Sequence, residues 1–151
     1  MTVQIVRYAK VQTPYTTIQM RLPDAMGADD SVYCTELCTL DGLTYVSVPD
    51  AVQLPDQPAE ITVEPVVLTS ALREEIKAAS VHCALIAERM EMKIRAKYTL
   101  SDEQYFARIG VGAALGLYAF EPGEQDEMTA FGAFVESVRQ WGRDERAKLG
   151  L

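Results

Sequence analysis

The residues with the most obvious chemical potential in this sequence of 151 amino acids are three cysteines and one histidine. Cys34 and Cys38 are predicted to lie on one face of a strand, and His82 and Cys83 are neighbours on a predicted helix. Three thiolates and an imidazole can fill a tetrahedral zinc shell. Strand positions four residues apart are separated by roughly 13 Å, which is too far for two ligands of one ion. We therefore interpret the cysteines as free, buried thiols and predict no metal site.

A nucleophile with a paired base is also missing from the pattern. His82 and Cys83 are adjacent, and adjacent helical residues point about 100° apart, so the imidazole does not face the thiol. The chain has no second histidine. We therefore predict that the protein is not an enzyme and has no catalytic residues.

A short glycine-rich run, Gly110–Gly116, has some of the spacing of a dinucleotide-binding loop. Such a loop must follow a buried strand, because the strand brings the backbone amides at a helix start against the pyrophosphate. Residues 102–109 continue from a predicted helix cap instead. We therefore interpret the glycines as places where a neighbouring helix approaches closely, and predict no cofactor. Each glycine lowers the stability of the helix by about 1 kcal/mol relative to Ala.

Two acidic clusters contain the carboxylate oxygens that calcium prefers. The first surrounds Gly27 in a predicted loop, and the second lies around a predicted break between helices: Asp24, Asp29 and Asp30; Glu121, Glu124, Asp126 and Glu127. Neither has the alternating spacing and closing glutamate of a calcium loop. We interpret the first cluster as a solvated loop and the second as a helix start, where carboxylates favour the helix dipole.

The composition is acidic, with a formal net charge of −8 and a pI near 4.6. Because phosphate binding needs a surplus of Lys and Arg, we predict no nucleic-acid partner. The longest uncharged stretch of the second half, Ile109–Phe120, is too short to span a bilayer, so we predict no membrane insertion. Neither the cysteine count nor the start of the chain indicates secretion, and we expect a soluble protein made in a cytoplasm.

An apolar ladder in the second half, here called the seam, has successive members three or four positions apart: Leu72, Ile76, Ala79, Cys83, Ile86, Met90 and Ile94. This spacing is typical of a helix that packs its apolar stripe against another helix. We predict that the seam mediates association between helices. The partner helix belongs either to the same chain or to another molecule.

A second candidate interaction surface lies near the C-terminus, where Phe134, Trp141 and Arg143 share the last predicted helix. Trp and Arg are enriched where the energy of an interface concentrates, which favours a docking surface. In the alternative interpretation, Trp141 and Phe134 belong to the core. The charged residues around them then form a solvated face of helical ion pairs.

The first half alternates apolar and polar residues with the period of half-buried strands. Asp41-Gly42 predicts a two-residue hairpin turn, Pro49–Ala59 an extended connector and Ile61–Val67 an edge strand. The predicted strands are Val3–Val11, Tyr15–Leu22, Val32–Leu40 and Leu43–Val48.

From Thr69 onward the period becomes helical. Thr69 or Ser70 caps a first helix that runs unbroken to about Lys97, and Ser101–Gln104 has the form of a capping box that begins a second. A third follows the break at Glu121–Gly123 and ends near Gly150. We predict an α+β protein with an antiparallel β-module (1–48), a Pro-rich connector (49–68) and a three-helix bundle or helical hairpin with one long helix (69–151).

Two stretches of the helical half resemble small proteins encoded among the tail genes of tailed bacteriophages. They are Ala71–Gly112, with its run Lys93–Tyr98, and Phe134–Leu151, with the runs Val138–Arg143 and Lys148–Leu151. The resemblance implies a non-enzymatic virion protein of the tail or tail tip, made in the host cytoplasm, that docks on other phage tail proteins. A tail-fibre assembly chaperone is one alternative. The acidic composition adds another, an inhibitor that mimics DNA and occupies a host protein.

Overall fold

The computed structural model describes residues 2–23 and 33–151. An antiparallel N-terminal sheet is followed by four α-helices, which confirms the predicted α+β class. The chain divides into two compact units. We call Met1–Leu85 with Glu145–Leu151 the strand unit, and Ile86–Asp144 the helical unit.

These units differ from the predicted modules 1–48, 49–68 and 69–151. The difference arises because residues far along the chain complete the core of the strand unit. Ile76, Cys83 and Leu151 are buried in one cluster with Ile5 and Tyr45 of the sheet. An apolar sheet face needs such a cover, so the first helix belongs with the strands.

The described residues contain six strands: β1 (Val3–Tyr8), β2 (Val11–Gln12), β3 (Thr17–Ile18), β4 (Thr35–Leu40), β5 (Leu43–Pro49) and β6 (Glu64–Val66). Four of them form an antiparallel sheet in the order β4-β5-β1-β6, and β2 pairs with β3. The turn between β4 and β5 is the predicted one, since Asp41 and Gly42 have φ angles of 50° and 78°. The predicted edge strand is confirmed as the shorter β6.

Three further strands are shorter than predicted, among them β4 (Thr35–Leu40), where Val32–Leu40 was expected. β1 ends at Tyr8, not Val11, because Tyr8 faces Thr44 at the last pairing with β5 before the hairpin turn. The predicted strand Tyr15–Leu22 retains only β3. Its start is delayed by a turn in which the Thr13 N–H and hydroxyl both donate to the Thr16 carbonyl at 2.8 Å, and beyond its end the Arg21 backbone bonds to the Gln57 side chain.

Both faces of the main sheet are covered. Alternate residues of β1 and β5 enter two clusters: Ile5 and Tyr45 point to one, Val6 and Val46 to the other. The second cluster also takes in Ile61 and half-buried side chains of the predicted connector. The proline-rich segment therefore packs on the sheet in addition to connecting two elements.

The predicted single helix from Thr69 to about Lys97 is wrong. The structure has two helices there, α1 (Ser70–Ala79) and α2 (Val81–Lys97). The predicted start is confirmed, because the Thr69 hydroxyl accepts a hydrogen bond from the backbone N–H of the third helical residue.

Ser80 causes the break between α1 and α2. Its backbone is extended, with φ −76° and ψ 124°. Its N–H donates to the Ile76 carbonyl at 2.9 Å and ends α1, while its buried hydroxyl accepts from the Cys83 N–H at 3.5 Å and begins α2. Serine is among the strongest N-cap residues, so this local bond competes with a continuous helix.

The other two helices are α3 (Leu100–Ala114) and α4 (Glu124–Lys148). The capping box of α3 is formed by Thr99 and Asp102, so the predicted box beginning at Ser101 is displaced by two residues. α4 is the longest helix, with 25 residues, and begins where predicted. It ends just before Gly150, which has the left-handed φ of 79° typical of a helix stop.

Aromatic rings join the three helical segments of the helical unit. The Tyr98 ring lies 6.2 Å from Phe106 of α3 and 5.0 Å from Phe131 of α4, centroid to centroid. An ion pair between Arg95 and Glu103, at 2.5 Å, adds a polar link between α2 and α3. The three segments therefore form one packed unit.

Candidate functional site

The carboxylate of Glu124, the first residue of α4, organises the connection between α3 and α4. It is buried and accepts hydrogen bonds from the hydroxyl of Tyr105 on α3, from the hydroxyl of Tyr118 at 2.5 Å and from the backbone N–H of Glu121 at 2.6 Å. Three donors compensate the burial of the charge. Glu124 thereby links α3 with Tyr118 and Glu121 of the connecting segment.

These hydrogen bonds shift the protonation of all three side chains. The donated bonds from Tyr105, then Tyr118 and the Glu121 amide, hold the pKa of the Glu124 carboxyl below its usual value. Hydrogen bonding to the carboxylate raises the pKa of Tyr105 and that of Tyr118 to about 12. The carboxyl is ionised and both hydroxyls are neutral across the physiological range.

Glycines allow the chain to fold back after α3. Gly116, with φ 71°, takes the left-handed conformation that ends the helix. The next two amides, of Leu117 and Tyr118, donate to the Gly112 carbonyl at 2.8 and 3.1 Å. A Cβ on Gly112 would lie 2.9 Å from the Cβ of Tyr118, so a larger residue does not fit there.

The last turn of α3 and the chain just after it present apolar side chains to solvent. Val111, Leu115 and Leu117 are 60%, 67% and 81% exposed, although they lie within seven residues of one another. We call these three residues the apolar tip. Large exposed apolar side chains close together in the sequence favour a surface that another protein covers.

The charges near the apolar tip are mixed: exposed Arg108 lies one helical turn before Val111 on α3, and carboxylates follow the tip in the sequence. The sequence has no Lys or Arg between Arg108 and Arg139, and it has five carboxylates in that interval. Glu121 and Glu127 lie near enough to Tyr105 to contribute to its raised pKa. In the part of the chain that the structure describes, neither of these two glutamates forms an ion pair.

Positive charge collects on α2 of the same unit. Arg89, Lys93 and Lys97 are exposed and four residues apart, so they lie along one side of the helix; we call them the basic stripe. None of the three has a carboxylate partner among residues 2–23 and 33–151. Lys93 Nζ lies 4.6 Å from the centre of the Trp141 ring, and Lys97 Nζ lies 4.6 Å from that of Phe134.

The C-terminal residues predicted to interact divide between core and surface. Phe134 and Trp141 are half-buried, each beneath a lysine of the basic stripe, and Phe134 also contacts the Tyr98 ring at 5.7 Å. Arg143 is exposed and pairs with Glu136 on its own helix. Docking through these residues stays a prediction.

Apart from Ala79, which is exposed, the seam faces the interior of each unit. In the strand unit, Ile76 is 0% exposed, Cys83 is buried and Leu72 packs against their cluster. In the helical unit, Ile86 is buried, and Met90 and Ile94 are half-buried. The Met90 side chain packs against Gly142 of α4, which has no side chain to obstruct it. The partners of Ile76 and Met90 thus lie within the chain, and Ile76 and Ile86 offer no surface to a second molecule.

The cysteines do not share one face, contrary to prediction. A β-bulge at Leu37 shifts the register between β4 and β5, so Cys34 packs on the second core cluster and Cys38 on the first. Burial raises the pKa of both thiols. The described residues contain no group of three His, Cys, Asp or Glu side chains that could hold a metal ion.

The glycine-rich run and the second acidic cluster both lie at helix positions. Gly110 and Gly112 lie inside α3, as the close-packing interpretation requires, and Met128 of α4 approaches the Gly110 backbone. Glu124, Asp126 and Glu127 lie in the first turn of α4, which confirms the helix-start interpretation. The cluster around Gly27 lies outside the described residues. Within the described ranges, no helix has the length and apolar character needed to cross a membrane.

The sequence interpretation missed the apolar tip, because it continued the second helix through Leu115 and Tyr118. The density of glycines, three between positions 110 and 116, was the signal that this helix ends early.

No protein-family model matches the sequence, and neither a curated protein nor a solved structure matches it.

Proposed function

We propose that this protein is a non-enzymatic structural component of a bacteriophage tail or tail tip, and that it works by docking on other proteins. The observation that carries the docking role is the apolar tip. Val111, Leu115 and Leu117 are exposed at the end of α3 and on the turn after it, and Glu124 binds Tyr118 and Glu121 of the same connection. A surface fixed before binding loses little conformational freedom when a partner covers it.

The assignment to a phage tail is supported by the resemblance of Ala71–Gly112 and Phe134–Leu151 to small tail proteins. Both stretches contain residues of the candidate surfaces. The first carries the basic stripe and reaches the start of the apolar tip, and the second carries Phe134 and Trp141.

The mixed charge of the helical unit favours this proposal over an inhibitor that mimics DNA. A mimic of the phosphate backbone needs carboxylates without interleaved cations. The basic stripe, Arg89, Lys93 and Lys97, interrupts any such surface on α2.

Mass spectrometry of purified particles of the encoding phage tests the proposal. We expect the chain in finished particles at a fixed ratio to the major tail protein. Absence from finished particles, together with loss of soluble tail fibre when the gene is deleted, would show an assembly chaperone instead. Absence from particles with normal fibre would contradict both roles.

A further inference from the structure

A pocket of about 500 Å³ lies in the strand unit, beside the first residues of β1. Its walls combine the start of β1 with the chain that follows β6, and Arg73 of α1 and Gly150 complete it. The volume falls within the range of sites that hold small molecules. All the lining residues belong to the strand unit.

The backbone of β1 has an open edge at this pocket. β5 pairs with all of β1, whereas β6 pairs with it only from Ile5 to Arg7. The Thr2 carbonyl accepts a hydrogen bond of 3.1 Å from the Asp50 N–H on the β5 side, so the N–H and carbonyl of Val3 point to the other side. On that side, Val3 has no backbone partner among the described residues. An extended peptide can therefore pair with Val3 as an added strand.

Aliphatic side chains line much of the pocket. Val3 and Ile5 lie on one face of β1, and Val66, Val67 and Leu68 belong to the neighbouring chain. Val67 is 92% exposed, although it lies beside this apolar wall. A ligand with branched aliphatic side chains would remove Val67 from water, which is favourable.

Two charges of opposite sign complete the lining. Of the described residues around the pocket, Asp50 and Arg73 are the charged ones. Arg73 is half-buried and Asp50 is exposed. Within residues 2–23 and 33–151, neither forms an ion pair, with the other or with any third residue. A half-buried guanidinium without a partner favours a carboxylate, because its donors match the two carboxylate oxygens.

We propose that this pocket binds a short peptide of branched aliphatic residues with both termini free. A dianion would be repelled by Asp50, and a simple cation by Arg73. A zwitterion satisfies both, with its carboxylate at Arg73 and its ammonium group at Asp50. The open edge at Val3 selects a peptide over a free amino acid, because a peptide bond can pair with the strand. The inference goes beyond the proposed docking function, since no residue of the apolar tip takes part.

The test is a titration of the isotope-labelled full-length chain with the dipeptide leucyl-leucine, followed by NMR of the backbone amides. We expect a dissociation constant of about 1 mM or tighter. The amide shifts should be largest at the pocket, at Val3, Gln4, Val67, Leu68 and Arg73. Free leucine should bind more weakly than the dipeptide, because it has no peptide bond to pair with Val3.

Charge variants test the two polar contacts, and the amide spectrum shows whether each variant is folded. Arg73→Gln should weaken binding about five- to tenfold, because it removes the partner of the carboxylate. Asp50→Asn should weaken it about two- to fivefold, since this position is exposed. Arg21→Gln and Asp56→Asn, at exposed positions of the same unit, are matched controls and should bind as wild type does.

Modified ligands separate a direct contact from a structural effect. Leucyl-leucine amide lacks the carboxylate, and N-acetyl-leucyl-leucine lacks the ammonium group. Each should bind the wild type more weakly than leucyl-leucine does. Arg73→Gln should bind the amide no more weakly than the wild type does, whereas a merely structural role of Arg73 would weaken the binding of both ligands.

Absence of amide shifts at about 10 mM dipeptide would overturn the inference, and so would shifts confined to residues outside the pocket. Equal affinity for the dipeptide and for its N-acetylated amide would also overturn it, since a zwitterion would then not be required. These results are separate from the particle experiment. A chain that is found in finished particles and binds no dipeptide contradicts only this inference, and a chain that binds the dipeptide and is absent from particles contradicts only the proposed function.

Discussion

The hydroxyl of Tyr118 donates a hydrogen bond of 2.5 Å to the carboxylate of Glu124. The two residues lie at the two sides of a turn whose exposed face contains Leu115 and Leu117. Glu124 is also the first residue of α4, where a negative charge is favoured by the helix dipole. One carboxylate thus begins a helix, holds a turn and sets the position of the apolar tip.

The tyrosines predict how stability depends on alkaline pH. Tyr105 and Tyr118 donate as neutral hydroxyls, and their pKa is raised from 10.0 to about 12. Their contribution to the free energy of unfolding is therefore complete below pH 10 and is lost as the pH rises towards 12. Tyrosinate absorbance should show these two groups titrating late. Removing one by Tyr118→Phe should remove part of that late phase, while Tyr15→Phe, at an exposed tyrosine, should leave it unchanged.

The buried seam predicts a sharp difference between two positions of α2. Ile86→Asp places a charge in the interior and should lower the free energy of unfolding by about 3 kcal/mol or more. Met92→Asp makes a comparable change at an exposed position and should alter it by less than about 0.5 kcal/mol. Urea denaturation measures both. Equal stability of the two variants would mean that the seam is not buried.

The break at Ser80 predicts a capping effect. Ser80→Ala removes the hydroxyl that accepts from the Cys83 N–H, and should lower the free energy of unfolding by about 1 kcal/mol. Ser70→Ala is the control, because Thr69 and not Ser70 caps α1. Thermal denaturation measures both variants. If Ser80→Ala loses no more stability than Ser70→Ala, the Ser80 hydroxyl does not cap α2.

Two glycines of the C-terminal region predict opposite effects of the same substitution. Gly132 lies inside α4 with open space around it, so Gly132→Ala should raise the free energy of unfolding by roughly 0.5 to 1 kcal/mol. Gly150 has a left-handed φ, and a Cβ there would lie 3.0 Å from Ile5 Cδ1. Gly150→Ala should lower the free energy by about 1 kcal/mol. The denaturant midpoints of the two variants should shift in opposite directions from that of the wild type. A shift in the same direction would contradict the different backbone environments assigned to Gly132 and Gly150.

Much of the fold could be predicted from local signals. The Asp41-Gly42 turn, the Thr69 cap and the start of α4 at Glu124 each depend on a few neighbouring residues, and the structure has all three. The bulge at Leu37 could not be predicted in this way, because the pairing with β5 decides it. The bulge places Cys38 against the first core cluster and Cys34 against the second, although the sequence predicted both on one face of a strand.

The candidate site was less predictable than the fold. The apolar spacing of the seam indicated burial correctly, but spacing alone does not reveal which residues lie opposite. Ile76 packs against the sheet and Met90 against Gly142. The tip depends on a bond between Tyr118 and Glu124, two residues that the sequence assigned to different helices. Tertiary hydrogen bonds of this kind leave no periodic signal.

The measurement that tests the central claim most directly is the copy number of the chain in finished particles from phage carrying Leu115→Asp and Leu117→Asp. Particles with Leu100→Asp serve as the control. We expect normal incorporation of wild type and control, and loss of the tip variant from particles although it folds and accumulates in the cell. Equal incorporation of all three chains would contradict docking through the apolar tip, and absence of even the wild type would contradict a place in the tail.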